Sequence, residues 1–377
     1  MRHRRHRFRA DRLHRQHSPE LGTQADSGPP VRRAPRQLDV PILHSNDRKS
    51  PSNRANTRRR IAANATHMQL EQFRVARPAM GTMAEVIVVT SGRLASHGQQ
   101  IAEDACRQID GLEQLWSRFI SSSDLERANQ HAGEVVVVAA ETLRLFAAAI
   151  AGYTETNGRF DPSVLTSLRH LGYDRPFAMI DQWPSPKNAH AAPGCNDIEI
   201  DANHSTVRLP SGVAFDPGGI GKGLAADIVA ERVMAHGAMG ACVNIGGDLR
   251  VVGQGPEGRG WSVRVEHPLD ATKTAALLWL SRGAVATSAT NRRRWVCADG
   301  TEQHHLIDPS TGTPVDSPWS GITVIAGSAC RAEVFATAGI VAGAVAIDMF
   351  NHLNVDALLI DSDGIATAVG QAASFLA

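Results

Sequence analysis

The densest run of glycines in this sequence, Asp216-Pro-Gly-Gly-Ile-Gly-Lys-Gly, surrounds a single lysine and leads into a helical pattern. Glycines in such a run let backbone N–H groups face a phosphate, and the N-terminus of a following helix favours negative charge. A second short run, Gly246-Gly247 before Asp248, follows a β-type segment. The pattern predicts a nucleotide site, and an ordinary Gly-rich turn with a helix cap is the alternative.

This run differs from both standard phosphate loops. A Walker loop requires Gly five residues before the Gly-Lys pair and Ser or Thr after it, where this chain has Asp216 and Gly223. A Rossmann fingerprint requires G-x-G-x-x-G after a strand, and Gly219, Gly221 and Gly223 have a different spacing. The sequence therefore predicts a phosphate cradle of another kind.

Two oxygen donors, Glu333 and Thr337, stand four residues apart in a helical pattern. Residues with this spacing lie one turn above each other on one face, so a carboxylate and a hydroxyl can share a hard cation. The pair makes half of a magnesium site. The alternative is a Glu in a first helical turn, where the helix dipole favours negative charge.

His305 is a candidate general base, because imidazole can take a proton from a hydroxyl near neutral pH. Its neighbour His304 has the same chemistry, and adjacent residues of a strand point to opposite faces. Leu306 and Ile307 make both faces apolar. The pattern alone therefore does not choose between the two histidines.

In their order along the chain, these segments resemble the ApbE family of flavin transferases, the FAD:protein FMN transferases. The resemblance covers roughly residues 70–345, with ordinary loop lengths between the matching segments. Those segments are Met80-Gly-Thr82, Ser117-Arg-Phe119, Ser123-Asp-Leu-Glu-Arg-Ala-Asn129, Phe160-Asp-Pro162, Leu171-Gly-Tyr173, residues 216–227, Asn244 to Asp248, Ala286-Thr-Ser288, residues 305–314 and Ala332-Glu-Val-Phe-Ala-Thr337.

The resemblance implies FAD contacts spread along the chain. They are Met80, Phe119, Arg159, Phe160, Asp161, Asp216, Lys222 and the backbone around Leu306. An aromatic ring such as Phe119 can stack on flavin or adenine, and Lys222 can bring a point charge to pyrophosphate. Asp161 or Asp216 can accept hydrogen bonds from ribose, adenine or flavin. A buried Phe, a surface Lys and turn-forming Asp-Pro pairs also fit these positions.

The resemblance also selects His305 as the catalyst through the motif H-x-x-D-P, and it implies that Gly219, Glu333 and Thr337 hold Mg²⁺. The implied activity is Mg²⁺-dependent transfer of FMN from FAD to a Thr or Ser hydroxyl of an acceptor protein, with release of AMP. Two alternatives remain: an FAD pyrophosphatase that gives FMN and AMP, and a non-catalytic FAD-binding protein.

Two positions depart from the usual family pattern. Glu333 stands where the family usually has Asp, and Ala289 stands where Gly commonly follows the Thr-Ser pair. The longer side chain moves the carboxylate outward by about 1.5 Å, whereas Mg²⁺ requires tight octahedral geometry. These departures leave open a weakened metal site or a protein that binds flavin without transferring it.

Strands mixed with long helices, without strict βαβ alternation, predict an α+β fold with antiparallel-rich sheets. The resemblance implies an ApbE-like, T-fold-like arrangement in a single large catalytic domain, residues 67–377. Predicted helices lie at 94–116, 141–156, 224–236 and 329–344, and an irregular excursion at 176–203. Predicted strands lie at 73–90, 241–244, 249–252, 261–265, 276–280, 283–287, 295–297, 304–307 and 321–326, with a terminal hairpin at 358–369.

Charge divides the chain into two segments. Residues 1–66 carry 16 Lys and Arg against 5 Asp and Glu, and residues 67–377 carry the remaining 23 against 33. The first segment is basic and has no sustained apolar periodicity, which predicts disorder. Its aromatic content is a single residue, Phe8, so no nucleic-acid partner is expected.

The five cysteines are widely spaced and form no C-x-x-C pair, which predicts reduced thiols and neither a zinc site nor a disulfide framework. No apolar stretch approaches 18 uninterrupted residues, so no transmembrane helix is expected. Because no signal-like apolar segment or lipid-bearing cysteine precedes Cys106, the expected location is the cytoplasm.

Overall fold

The β-branched run near the start of the described chain folds into two strands joined at Met80 and Gly81. In the computed structural model, which describes residues 70–186 and 189–377, this hairpin begins an eight-stranded antiparallel sheet. The predicted basic segment, residues 1–66, lies outside the described residues, so the domain boundary at residue 67 stays a prediction.

The described residues contain seventeen strands. In chain order they are β1 (Leu70–Ala79), β2 (Thr82–Ser91), β3 (Val136–Val137), β4 (Glu199–Asp201), β5 (Thr206–Arg208), β6 (Gly240–Ile245), β7 (Asp248–Gly253), β8 (Trp261–His267), β9 (Asp270–Leu280), β10 (Gly283–Ala289), β11 (Arg294–Val296), β12 (Glu302–His304), β13 (Ile307–Asp308), β14 (Thr313–Pro314), β15 (Trp319–Ala326), β16 (Asp356–Asp361) and β17 (Ala366–Val369). The large sheet has the order β1-β2-β6-β7-β10-β15-β16-β17, and smaller sheets have the orders β3-β5-β4, β8-β9, β11-β12 and β13-β14.

Seven α-helices accompany these strands among the described residues. They are α1 (Gly98–Trp116), α2 (Asp124–Gln130), α3 (Ala140–Glu155), α4 (Leu165–His170), α5 (Gly221–Ala235), α6 (Ala329–Ala342) and α7 (Ala346–Leu353). Short 3₁₀ segments lie at Gly92–His97, Pro162–Val164, Phe177–Met179, Gly343–Val345 and Ala372–Phe375.

Helices cover one face of the large sheet and a hairpin covers the other. Alternate residues of the strands, such as Val86, Val243 and Val324, pack with α1, α5 and α6 in the main core. Residues of opposite parity, such as Val251 and Val285, pack against the β8-β9 hairpin. The sheet is therefore buried on both faces. Because side chains alternate along a strand, successive residues enter the helix-covered core and the hairpin-covered core in turn.

The segment Ala329–Leu353, which contains α6 and α7, is long and apolar enough to cross a membrane by length and composition alone. Of its most apolar 18-residue stretch, 56% is buried inside the protein, and α6 packs against α5 and the strands β10 and β15. A core helix passes the same test, so its apolar character is explained by this packing.

Most predicted elements are confirmed within a few residues, as is the α+β class. The strand predicted at residues 304–307 is wrong, because the chain bends at His305 between β12 and β13. The predicted excursion at 176–203 is largely irregular but ends in β4. Helices α2, α4 and α7 and the strands β3, β5 and β14 are not predicted, because their apolar periodicity is too short to be detected.

Candidate active site

Two glycine turns lie side by side at one end of the large sheet. Met80 and Gly81 have φ values of 51° and 68°, and Gly246 and Gly247 have 66° and 101°; both pairs are two-residue hairpin loops, which need positive φ. The Gly246 N–H donates to the carbonyl of Met83 at 3.0 Å, and a Cβ on Gly246 would lie 2.7 Å from the Thr82 side chain. The two turns therefore pack closely against each other.

Lys222, at the start of α5, lies between two carboxylates. Its Nζ forms ion pairs with Asp248, at the start of β7, and with Glu333, on α6. The second oxygen of Glu333, Oε2, accepts a hydrogen bond from the Gly223 backbone N–H at 2.8 Å. Asp248 and Glu333 are both buried. The arrangement joins the predicted glycine loop, the second glycine turn and the predicted metal-binding helix at one cation.

The charges of this cluster shift each other's proton affinities. Burial disfavours the ammonium form of Lys222, but the Asp248 and Glu333 carboxylates outweigh it and raise the pKa of Lys222 above its ordinary value. Burial raises the pKa of Glu333 to about 7, with Lys222 opposing that rise and Asp248 adding to it. With both carboxylates ionised, the three groups carry one net negative charge.

Thr337 and Gly219 meet one helical turn from Glu333. A Cβ on Gly219 would lie 3.1 Å from the Thr337 hydroxyl, and that hydroxyl hydrogen-bonds Ser288 at 3.2 Å. Carboxylate, hydroxyl and backbone carbonyl oxygens are the donors that Mg²⁺ takes, and two carboxylates here already converge on one cation. The oxygen types of Glu333, Thr337 and Gly219 are therefore those that magnesium takes, and Lys222 and Gly223 engage both carboxylate oxygens of Glu333. No group of three His, Cys, Asp or Glu residues able to hold a metal occurs in the described part of the chain.

Arg118 holds Asp216 in place. Its Nε donates to Asp216 Oδ1 at 3.0 Å, with 6% and 13% of the two side chains exposed. Its guanidinium also donates to the carbonyl of Tyr173 at 2.7 Å and lies 4.4 Å from the ring centroids of both Phe119 and Tyr173. Phe119 keeps 38% of its surface exposed. One buried cation therefore orients a carboxylate and supports an aromatic ring that solvent can reach.

The predicted segment from Arg159 to Asp161 lies under the glycine loop. Phe160 is buried, and its ring lies 3.2 Å from the position of a Cβ on Gly219. Asp161 accepts a hydrogen bond from the Ser163 backbone at 2.8 Å; burial raises its pKa, and the Ser163 hydrogen bonds oppose the rise. Arg159 donates to the carbonyl of Thr156 at 3.4 Å. Phe160 thus supports the loop from below.

His305 stands at a bend and has a ring nitrogen without a partner. Its Nδ1 is buried and makes no hydrogen bond within the described residues. Burial, followed by the charges of Arg293, His304 and Lys222, lowers the pKa of His305 to about 3, against the opposing effect of a hydrogen bond with the Arg292 backbone. The imidazole is therefore neutral near pH 7 and offers a free lone pair.

The other histidine is a structural residue. His304 Nε2 lies 3.1 Å from the carbonyl of Val315, and His304 Nδ1 accepts from the Leu306 backbone N–H at 3.3 Å. Burial lowers the pKa of His304, and the hydrogen bond with Val315 opposes this lowering. Both ring nitrogens are engaged, so the structure distinguishes the two histidines where the sequence pattern does not.

Several residues that matter to this site are not predicted from the sequence. Asp248 and Arg118 lie inside the recognised segments, yet no local signal shows that they pair with Lys222 and Asp216. Conversely, Asp227 of the glycine motif is structural, because it accepts from the backbone N–H groups of Ala329 and Cys330 at 2.9 Å and caps α6. Two cavities of about 450 and 540 Å³ flank Arg250, and Lys222, Glu333 and His305 line neither.

This end of the sheet brings together exposed glycine backbone, the Lys222 ammonium and an imidazole nitrogen without a partner in the described residues, which are groups that can meet a phosphate. A comparison with protein families covers the residues of this site, because the ApbE family model matches residues 80–359. The chain belongs to the ApbE family, and it is a transferase.

Relatives with assigned functions cover most of the chain. The FAD:protein FMN transferase of Vibrio cholerae serotype O1 is 27% identical over 302 residues, which are 78% of this chain and 89% of the relative. The FAD:protein FMN transferase of Haemophilus influenzae is 26% identical over 301 residues, 76% of this chain and 86% of the relative.

Solved structures show the same fold. The ApbE protein of Thermotoga maritima superposes with a TM-score of 0.72 at 28% identity, covering 81% of this chain and 100% of that one. The flavin transferase ApbE of Vibrio cholerae superposes with a TM-score of 0.68 at 25% identity and the same coverage. These matches confirm the predicted α+β fold and its single large domain.

Proposed function

We propose that this protein transfers FMN from FAD to a Thr or Ser hydroxyl of an acceptor protein and releases AMP. The observation that carries the proposal is the neutral imidazole of His305, whose buried Nδ1 has no partner within the described residues and lies in the field of Lys222. The relatives named FAD:protein FMN transferase support the substrate and the transferred group.

In the proposed reaction, the acceptor hydroxyl loses its proton to His305 Nδ1 and its oxygen attacks the FMN phosphorus. The new O–P bond replaces the pyrophosphate P–O bond, and AMP leaves with the bond's electrons. Arg293 and Lys222 weaken His305 as a base in the free protein. A bound pyrophosphate brings negative charge that offsets these cations and raises the proton affinity of the imidazole.

Other predicted residues would bind and orient FAD. Lys222 has three N–H donors and its two carboxylate partners use two, so one donor is left for the pyrophosphate. The exposed ring of Phe119 can stack on the flavin or adenine, and Asp216 is oriented by Arg118. We assign the remaining contacts to Met80, Arg159, Phe160, Asp161 and the backbone at Leu306.

Magnesium belongs to this proposal as a cofactor held by the Gly219 carbonyl, Glu333 and Thr337. Bound there, Mg²⁺ supplies charge neutralisation for the pyrophosphate. One observation favours the alternative of a non-catalytic FAD-binding protein, since both oxygens of Glu333 are engaged by Lys222 and Gly223. The cytoplasmic location stays a prediction.

An in-gel fluorescence assay tests the proposal with FAD, Mg²⁺ and a small flavin-acceptor domain, run with and without EDTA. We expect a fluorescent acceptor band that disappears with the chelator. Free FMN and AMP without a labelled band would instead indicate a pyrophosphatase. Measurable FAD binding with neither product would indicate the binding protein.

A further inference from the structure

Arg293 lies opposite His305 at the open end of a hairpin. The strands β11 and β12 pair in antiparallel register, with Arg294 opposite His304 as the last pair. Arg293 and His305 are the residues that come directly before and after this last pair, so the end of the hairpin brings them close together although both lie outside the strands. The lowering of the His305 pKa by the Arg293 charge agrees with this proximity.

Arg293 is the one member of its arginine run without a partner within the described residues. Arg292 pairs with Glu266 and Arg294 pairs with Glu302, each at 2.7 Å. Arg293 is half-buried, and its Nη2 lies 3.9 Å from the position of a Cβ on Gly81. Its guanidinium therefore lies over the first glycine turn and is free to meet a ligand.

The backbone of Arg293 is held in an unfavourable conformation. Its φ of 45° lies in the left-handed region, which is unfavourable for a residue with a Cβ. Such conformations persist where the surrounding structure enforces them, often at functional sites.

The charge balance around Lys222 and His305 makes Arg293 the cation there that no carboxylate matches among the described residues. Lys222 is matched by Asp248 and Glu333, so that cluster has no net positive charge to offer a diphosphate. His305 is neutral near pH 7. The pyrophosphate of a nucleotide carries negative charge on both groups, and an arginine fork can donate two parallel hydrogen bonds to it.

We propose that Arg293 is a catalytic residue that binds the pyrophosphate of FAD opposite His305 and stabilises the charge on the phosphoryl group in transfer. This inference rests on the proposed function for its substrate. Arg293 and His305 then form the two sides of the reacting centre, with the guanidinium next to the Met80-Gly81 turn.

Arg293→Gln tests the inference. Arg294→Gln is the matched control, because Arg294 is the next residue, is exposed and pairs with Glu302. We expect FAD to bind Arg293→Gln about 10- to 100-fold more weakly than the control, the loss of one charge-assisted contact. The transfer rate at saturating FAD should fall about 100-fold or more, and Arg293→Lys should restore part of both.

Arg293→Gly separates a catalytic role from a structural one. Glycine accepts a φ of 45° without strain, so the thermal midpoint should stay or rise while FAD affinity falls as in Arg293→Gln. A midpoint several degrees lower, with FAD affinity lost in proportion, would show that Arg293 only supports the loop and would overturn the inference.

The two proposals fail in different ways. Equal FAD affinity and equal transfer rates in Arg293→Gln and Arg294→Gln overturn the role of Arg293 and leave the transferase intact. A wild-type protein that labels no acceptor contradicts the transferase. A selective loss of FAD affinity in Arg293→Gln would still support the pyrophosphate contact in that case.

Discussion

The two charged regions that meet at the end of the large sheet are built in opposite ways. Around Lys222, two buried carboxylates and a backbone N–H satisfy one another. Around His305, the buried ring nitrogen Nδ1 has no partner within the described residues, and the half-buried side chain of Arg293 lies beside it without an ion pair there. Buried polar groups without partners are costly. The contrast indicates that the ion pairs of Lys222 also hold the helices and turns together, whereas the groups around His305 are left for the ligand of the proposed reaction.

The largest effect is expected in the unsatisfied region. His305→Ala removes the proposed base and should lower FMN transfer by about 100- to 10,000-fold. FAD affinity should change little, because a neutral ring is not the main contact of an anion. Transfer rates and FAD titration on the same preparation check this, and parallel loss of both would contradict the division between the two regions.

Lys222→Met removes the cation that pairs with Asp248 and Glu333. Two buried carboxylates lose their common counter-ion, which should lower the free energy of unfolding by about 3–5 kcal/mol. Urea unfolding measures the loss. The double variant Lys222→Met with Glu333→Gln should recover part of it, and an equally unstable double variant would show that the ion pair does not hold the helices.

Glu333→Asp is expected to have a smaller effect. A carboxylate drawn back by about 1.5 Å cannot keep both Lys222 and the Gly223 N–H, so stability should fall by about 1 kcal/mol and FMN transfer should not increase. Glu231→Asp, at an exposed position of α5, is the control. Faster transfer would mean that the native glutamate weakens the metal site, as the binding-protein alternative requires.

The smallest effect distinguishes the two regions by the sign of their pH dependence. Glu333 has a pKa raised from 4.5 to about 7, so its contribution to stability is present below pH 4.5 and is lost as the pH rises through 7. His305 has a pKa lowered from 6.5 to about 3, so its contribution is present above pH 6.5 and is lost as the pH falls toward 3.

Thermal midpoints at pH 5 and pH 7.5 check this pair of signs. Relative to wild type, Glu333→Gln should gain more stability at pH 7.5 than at pH 5, and His305→Gln should gain more at pH 5. The comparison with wild type at each pH removes the effect of groups elsewhere. If the midpoint difference from wild type changed in the same direction between pH 5 and pH 7.5 in both variants, the assignment would be contradicted.

The sequence predicts the local elements of this site better than the contacts between residues that are distant along the chain. The glycine run, the helix after it and the spacing of Glu333 and Thr337 are local patterns, and α5 and α6 confirm them. Lys222 and Glu333 are 111 residues apart, and no local period encodes such a contact. The bend at His305 is missed for the same reason. His304 bonds to the carbonyl of Val315 and His305 bonds to the Arg292 backbone, and both partners lie outside the local sequence pattern.

The close contact between α5 and α6 restricts how this protein can be recombined with its relatives. A Cβ at Gly223 would lie 2.3 Å from the carbonyl oxygen of Ala329, and Asp227 binds the backbone at the start of α6. The two helices therefore share one interface at backbone distance. A chimera that takes residues 216–235 and 327–342 from different parents would inherit mismatched halves, so segment exchange should keep both from the same parent.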